Sequence, residues 1–430
     1  MIRGRKYHFL RMRHLAHSSK IALGMMGLRK AFTGPLWVQI GIANPCNQRC
    51  IMCWDHPSFP RQGNSNSAKQ TRTTPKDHTE VADLSDQFME VNMLKDLLED
   101  LRYVGTQRVE LAGRGEPTLH PEFAYIVRMV KERGFNAGVV TNGSLLNHRR
   151  YEHLVNSGVD RIIISLNAGT PDTYPDIHTT AKPETFNRII RSLQELRQIK
   201  ESEGKKKPSV MLSFVISRYN YHEGLEMVER ANDVGANQIV FKYAIPYPGI
   251  AFIELTDKEK NKFSSQLPVF VERARAYGID LKVEPPIGDM TANPRLYHKK
   301  TEVIYSKIPC YIGWVFSLIT AEGSVIPCCQ CNETMGDLRN QRFREIWFSE
   351  QYDDFREKTK GFPRLRQTPF SCGCDECSFE KINTTIYNIL HFYRPLRLYQ
   401  AQRDFSLLQL LPAIFKGKTT RGAKTHKTPL

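Results

Sequence analysis

No stretch of this 430-residue chain approaches the ~20 consecutive apolar residues that a membrane-spanning helix needs. The best run near the start, "IALGMMGL", is too short, and Arg29 and Lys30 follow it in place of a small-residue cleavage site. Acidic residues are absent from residues 1–35, which carry eight Lys or Arg, and nearly absent from 391–430, where Asp404 stands against eight. The two ends thus hold +8 and +7 of the net +16, leaving about +1 for the body (16 − 8 − 7). The charge of the body gives no sign of a nucleic-acid groove. Both ends also interleave apolar residues, as in "HFYRPLRLYQ" and "FSLLQLLPAIF". They suit peripheral contact with a membrane or partner, phosphate binding, or simple solvated tails. The Arg-rich start also has the composition of an organelle transit peptide. No internal repeat of 20–50 residues is visible beyond an alternation of strands and helices.

Dispersed cysteines are lacking as well. All ten fall at 46/50/53, 310, 328/329/331 and 372/374/377, a grouping that suits metal better than a disulfide framework. The expected location is a reducing compartment, most simply cytoplasmic and peripheral to the membrane if the basic ends bind one. Within "NPCNQRCIMCW", Cys46, Cys50 and Cys53 have the spacing C-x3-C-x2-C. A disulfide between such close neighbours is strained and leaves one thiol over. Structural zinc takes four closed ligands, usually from two C-x2-C pairs. A four-iron cubane with three protein ligands keeps one iron open for a substrate.

From Leu36 short β-rich runs alternate with helical periodicity. "LWVQIGIA" reads as a strand, residues 58–82 as a polar mobile insertion, and "QFMEVNMLKDLLEDLRYVG" as an amphipathic helix ending at Gly105. The rhythm continues to a helix around 257–278, giving six β/α units with Gly after helix upon helix. The expected fold class is α/β, a partial (β/α)6 TIM-like barrel with parallel strands and right-handed crossovers. Its chemistry belongs at the C-terminal ends of the strands, where the cysteine loop falls. Residues 310–380 hold the other seven cysteines in Gly- and Pro-punctuated sequence, a small metal-stapled module.

After the second strand comes "GRGEP" (Gly113 to Pro117), after the third "TNG" (Thr141 to Gly143), and the fourth ends in "SLNA" (Ser165 to Ala168). With the cysteine loop, these motifs resemble the radical S-adenosylmethionine (radical SAM) superfamily across roughly residues 36–250. The resemblance implies a [4Fe–4S] cluster on Cys46, Cys50 and Cys53, with its open iron chelating SAM. An electron from the cluster then cleaves SAM to a 5′-deoxyadenosyl radical. It implies that Gly115, Glu116 and Pro117 meet the SAM amino group, that Thr141 and Asn142 lie at the cofactor, and that Ser165 and Asn167 lie near the ribose. The family often has Arg where His178 stands; a histidine there would carry a pH-dependent charge. Met52 fills a position that is often aromatic, with Trp54 just after. Other readings stay open: Glu116 as a helix N-terminal acid, Thr141 and Asn142 as turn residues, Ser165 and Asn167 as strand-end polar groups, and His178 as a satisfied histidine.

Cys310, twelve residues, Gly323, four residues and Cys328, followed by "GDL…F.EIW.S..Y", resemble the opening of a SPASM-type auxiliary domain. Only Cys372, Cys374 and Cys377 follow, as in the shortened "twitch" version. The resemblance implies one auxiliary [4Fe–4S] cluster on Cys310, Cys328, Cys374 and Cys377. Cys329, Cys331 and Cys372 are left to pack as small apolar residues or to substitute as ligands. Four-cysteine zinc is the rival at this site.

The division expected is a basic extension (1–35), a radical SAM core (36–285), an auxiliary module (300–380) and a basic amphipathic tail (381–430). The function expected is hydrogen abstraction from an unactivated C–H bond, with the auxiliary cluster as electron conduit. An external donor such as flavodoxin or ferredoxin is expected. The 35 residues before the first strand are short for a folded leader-binding domain. That favours oxidation or epimerisation of a small or carrier-linked molecule over peptide maturation. An RNA-modifying enzyme and a non-catalytic iron–sulfur electron-transfer protein are the other classes.

Overall fold

The computed structural model describes residues 17–391 apart from 27–28, 57, 59–87, 245–248, 285–307, 332, 363–371, 373 and 375–376. The insertion expected at 58–82 lies outside the described residues except for Ser58, as do both basic ends beyond residues 17 and 391.

Strand and helix alternate as the hydrophobic periodicity requires. β1 (Trp37–Ile40) leads through the cysteine loop to α1 (Val91–Val104). In α1 the residues Leu94, Leu97, Leu98, Leu101 and Val104 form one buried face, at the 3–4 residue spacing of an amphipathic helix. The helix ends at Gly105, whose φ of 90° is left-handed and lets its amide return to the Arg102 carbonyl. Then come β2 (Arg108–Leu111), α2 (Phe123–Glu132), β3 (Asn136–Thr141), α3 (His148–Asn156) and β4 (Arg161–Ser165). The series continues with α4 (Pro183–Ser202), β5 (Ser209–Ile216), α5 (Gly224–Asp233) and β6 (Gln238–Tyr243). α6 (Asp257–Ala276) precedes a further strand, β7 (Asp280–Glu284). The six expected units therefore carry a seventh parallel strand, paired with β6.

β1 to β7 lie side by side in chain order, parallel throughout. β1, β2, β4 and β5 alternate buried and half-buried residues, clearest in the eight residues of β5. Apolar residues such as Val38, Ile40, Val109 and Leu111 point to the helices and are essentially fully buried. Among the described residues the edge strands β7 and β10 do not pair with each other, so the sheet is an open, partial barrel.

The cysteine-rich module continues this sheet. β8 (Phe316–Ile319) pairs in parallel with β1, Trp37 opposite Phe316 and Ile40 opposite Ile319. β9 (Ser324–Ile326) and β10 (Gly336–Asp337) follow antiparallel. α7 (Phe343–Trp347) and α8 (Glu350–Lys360) pack beside them around Arg356. That guanidinium is fully buried, donates to Asp353 and to the Gly313 and Trp347 carbonyls, and lies against the Trp347 and Tyr352 rings. Arg342 joins the module to α1 through two bonds to Asp100, 3.0 and 2.9 Å. α9 (Glu380–His391) occupies residues expected as the start of the tail. It packs on the module, and Asn383 accepts from the Tyr311 amide at 2.7 Å. Among the described residues no helix is long and apolar enough to cross a membrane.

Candidate active site

The loop of Cys46, Cys50 and Cys53 leaves β1 at the C-terminal rim of the sheet, and backbone contacts on two sides fix it. On one side the Ile51 amide donates to Ile177 (2.9 Å) and the Thr179 amide to Arg49 (3.0 Å). On the other, the Gly115 and Glu116 amides donate to Ala43 and Pro45 at 3.2 and 2.9 Å. A Cβ on Gly115 would stand 2.2 Å from the Pro45 carbonyl oxygen and 2.3 Å from that of Asn44. Only glycine admits this approach. The "GRGEP" turn is thereby pressed against the cysteine loop.

Glu116 is the centre of the rim. Its carboxylate, 3% exposed, accepts from the Thr118 amide and hydroxyl, the Thr141 hydroxyl (2.6 Å) and the Asn142 amide (2.8 Å). Burial raises its pKa, and these hydrogen bonds offset the rise only in part. Pro117 opens the short turn over Pro117–Leu119 that Glu116 caps. Asn142 extends the network, donating to Asn47 at 2.9 Å and bonding Cys46. The expected SAM contacts Glu116, Thr141 and Asn142 are therefore brought together beside the cysteines and bonded chiefly to one another. Asn47 and Ser144, 2.9 Å apart, belong to this network and carry no motif by which the sequence would reveal them.

Asn167 and Ser165 stand one strand further along. Asn167 has φ of 55°, a left-handed conformation that asparagine tolerates. Its side chain accepts from the Val215 amide at 2.9 Å, so it joins β4 to β5. Ser165 is half-buried opposite Ser213.

His178 lies directly on the cysteine loop. Nδ1 is 3.0 Å from Cys50 Sγ, and Nε2 is 3.1 Å from the Leu166 carbonyl. Burial depresses its pKa to about 4, so the imidazole is neutral near pH 7. The pH dependence expected of a histidine here is thereby moved well below neutrality by burial. With Nε2–H donating to Leu166, Nδ1 is the acceptor and the Cys50 S–H, while a thiol, donates to it.

In the auxiliary module, Cys310, Cys374 and Cys377 line one small recess with Asn383, whose side chain is 3.6 Å from Cys310 Sγ. Cys328 lies near Cys310 and hydrogen bonds with Cys329. Cys331 and Cys372 form a disulfide. That corrects the expectation for two of the spare cysteines, which neither pack separately nor serve as ligands here. They are remote in sequence, and the fold brings them face to face.

The donor sets suit iron–sulfur groups. Burial pushes Cys46 up to about 11 and Cys310 and Cys377 up to about 12, and raises Cys50 as well. The nearby charges of Glu116 and other thiols oppose ionisation too. A bound metal's positive charge reverses that balance. Among the described residues no group of three or more His, Cys, Asp or Glu closes around a single metal ion.

Between the two cysteine sets lies a cavity of about 430 Å³. Asn44, Asp55 and Arg114 line it from the first set's side, and Cys328, Cys329 and Cys331 from the other. Its volume is that of a small-molecule site.

Residues 40–242 match the radical SAM superfamily and residues 310–378 match the SPASM iron–sulfur cluster-binding domain. The tungsten-containing aldehyde ferredoxin oxidoreductase cofactor-modifying protein of Pyrococcus furiosus is 24% identical over 372 residues, covering 80% of this chain and 89% of its own. The AdoMet-dependent heme synthase of Methanosarcina barkeri is 24% identical over 304 residues, 67% and 79% of the two chains. Streptococcus suis SuiB bound to S-adenosylmethionine has the same fold, with a TM-score of 0.56 at 16% identity over 81% of this chain and 74% of SuiB. So has anSMEcpe with bound AdoMet, with a TM-score of 0.53 at 13% identity over 88% and 98%. The chain belongs to the radical SAM superfamily, as a radical SAM enzyme with a C-terminal SPASM domain that uses [4Fe–4S] clusters and S-adenosylmethionine.

Proposed function

We propose that Cys46, Cys50 and Cys53 hold the SAM-cleaving cluster, that Cys310, Cys328, Cys374 and Cys377 hold one auxiliary cluster, and that the enzyme modifies a small or carrier-linked molecule. When bound, the first cluster and SAM supply a 5′-deoxyadenosyl radical that takes hydrogen from an unactivated C–H bond. The chain's own residues prepare that chemistry. Gly115 lets the "GRGEP" turn close on the cysteine loop, and Glu116 holds Thr141 and Asn142 in register beside it. The buried ring of His178 packs against Cys50 from the opposite side. Four ligands at the auxiliary site would leave no open iron, which suits electron passage instead of substrate anchoring.

The observation that supports this reading is the cavity lined by Asn44 and Asp55, which flank the first cysteine loop, and by Cys328 of the auxiliary set, a place for a substrate near both the radical source and an electron acceptor. The relatives from Pyrococcus and Methanosarcina, named for cofactor modification and heme synthesis, favour a small-molecule substrate and oxidation or a related outcome. An external reductant, flavodoxin or ferredoxin, supplies the first electron.

Anaerobic reconstituted protein given SAM and reduced flavodoxin should release 5′-deoxyadenosine. Changing Cys46, Cys50 and Cys53 to Ala should abolish the release. Unchanged release from that variant would refute the assignment.

A further inference from the structure

The cavity carries both signs of charge on its walls, and its cations are not equivalent. Arg339 is engaged: its guanidinium forms a bidentate pair with Asp337. Arg114 differs. It sits in the "GRGEP" turn between the two close-packed glycines, its side chain 30% exposed, and faces Asp55 at 3.8 Å. That distance permits attraction and is too long for a hydrogen bond. Among the described residues Arg114 donates no hydrogen bond. An arginine with an unfilled fork of donors facing a ligand-sized cavity is built to take a planar or tetrahedral oxyanion. The acids nearby, Asp55 and Glu322, do not compete equally, because the Glu322 carboxylate accepts from the Asn44 side-chain amide.

We infer that Arg114 binds an anionic group of the substrate, a carboxylate or a phosphate, and so orients it in the cavity between the two cysteine sets. This rests on the proposed function for the cavity's role, while the charge argument stands on Arg114 alone. Asp55 holds the guanidinium at the wall until the anion displaces it. The same chemistry has a second source, the carboxylate of SAM, because "GRGEP" also borders the cysteine loop.

The test separates these sources without measuring turnover. Reconstituted holoenzyme is treated with phenylglyoxal, and modification of each arginine is followed by peptide mass mapping. Four conditions are compared: no addition, SAM, SAM with inorganic phosphate, and SAM with acetate. SAM alone should leave the rate at Arg114 unchanged. Phosphate or acetate added on top of SAM should slow it about tenfold at saturation, and whichever protects names the anion. Arg339, exposed and already paired, is the internal reference and should not respond. Protection by SAM alone would overturn the inference, since Arg114 would then belong to the cofactor. Protection by neither anion, or equal protection of Arg339, would overturn it too. Failure of the cluster assignments would show separately, as lost iron in the same preparations.

Discussion

Glu116 illustrates how a single side chain can matter more through its neighbours than through a ligand. Its carboxylate is buried and accepts from four donors drawn from two loops. Glu116→Ala should cost about 1–3 kcal/mol, the usual penalty for leaving buried donors unpaired. Urea unfolding of the cluster-free chain would measure it. The Cys46 sulfur should also become more accessible to a thiol reagent, because Asn142 loses its anchor while bonding Cys46. An unchanged unfolding midpoint would contradict the network. The cysteine triad and "GRGEP" were legible in the sequence because their spacing is dense and local. Asn47, Asp55 and the open guanidinium of Arg114 were not, since their roles arise only where two loops meet.

At the scale of elements, two contacts hold the layers in register. Asp160, at the start of β4, accepts from Lys131 at 2.5 Å, from Lys207 and from the Ala137 amide of β3 at 2.8 Å. Burial by itself would raise its pKa, but these bonds outweigh it and hold the pKa below the ordinary 3.8. A depressed carboxyl stabilises the fold above the unfolded value, and that contribution is lost as pH falls through the folded one. Asp160→Asn should therefore lower the melting temperature at pH 7, and its gap to the native protein should narrow as pH falls below the ordinary 3.8. A gap that stays constant with pH would count against the linkage. The second contact is Asp100, 2% exposed, with Arg342. A double-mutant cycle with Asp100→Ala and Arg342→Ala should give a coupling of about 0.5–3 kcal/mol, as expected for contacting charges. Additivity would mean that this pair does not couple α1 to α7. The β/α alternation was legible because each element writes its own periodicity. The pairing of β8 with β1 was not, because the strands are remote in sequence and neither pattern names its partner. β7, exposed at Asp280 and half-buried from Leu281 to Glu284, lacks the alternation of buried and half-buried residues seen in β1, β2, β4 and β5.

At the scale of the whole molecule, the auxiliary module is an extension of the barrel's own sheet, so the two cysteine sets are held at a fixed relation with the cavity between them. This arrangement makes sense of a chain with so many clustered, half-buried thiols, which become functional with metal bound. The central claim is two four-iron clusters on two separate cysteine sets. It is tested most directly by iron, sulfide and zinc analysis with Mössbauer spectroscopy on anaerobically reconstituted protein. The native chain should hold about eight irons, two cubanes. The Cys46/Cys50/Cys53→Ala and Cys310/Cys328/Cys374/Cys377→Ala variants should each retain about four. A native chain with about four irons and zinc in the auxiliary module, or a variant that keeps the full iron content, would contradict the account.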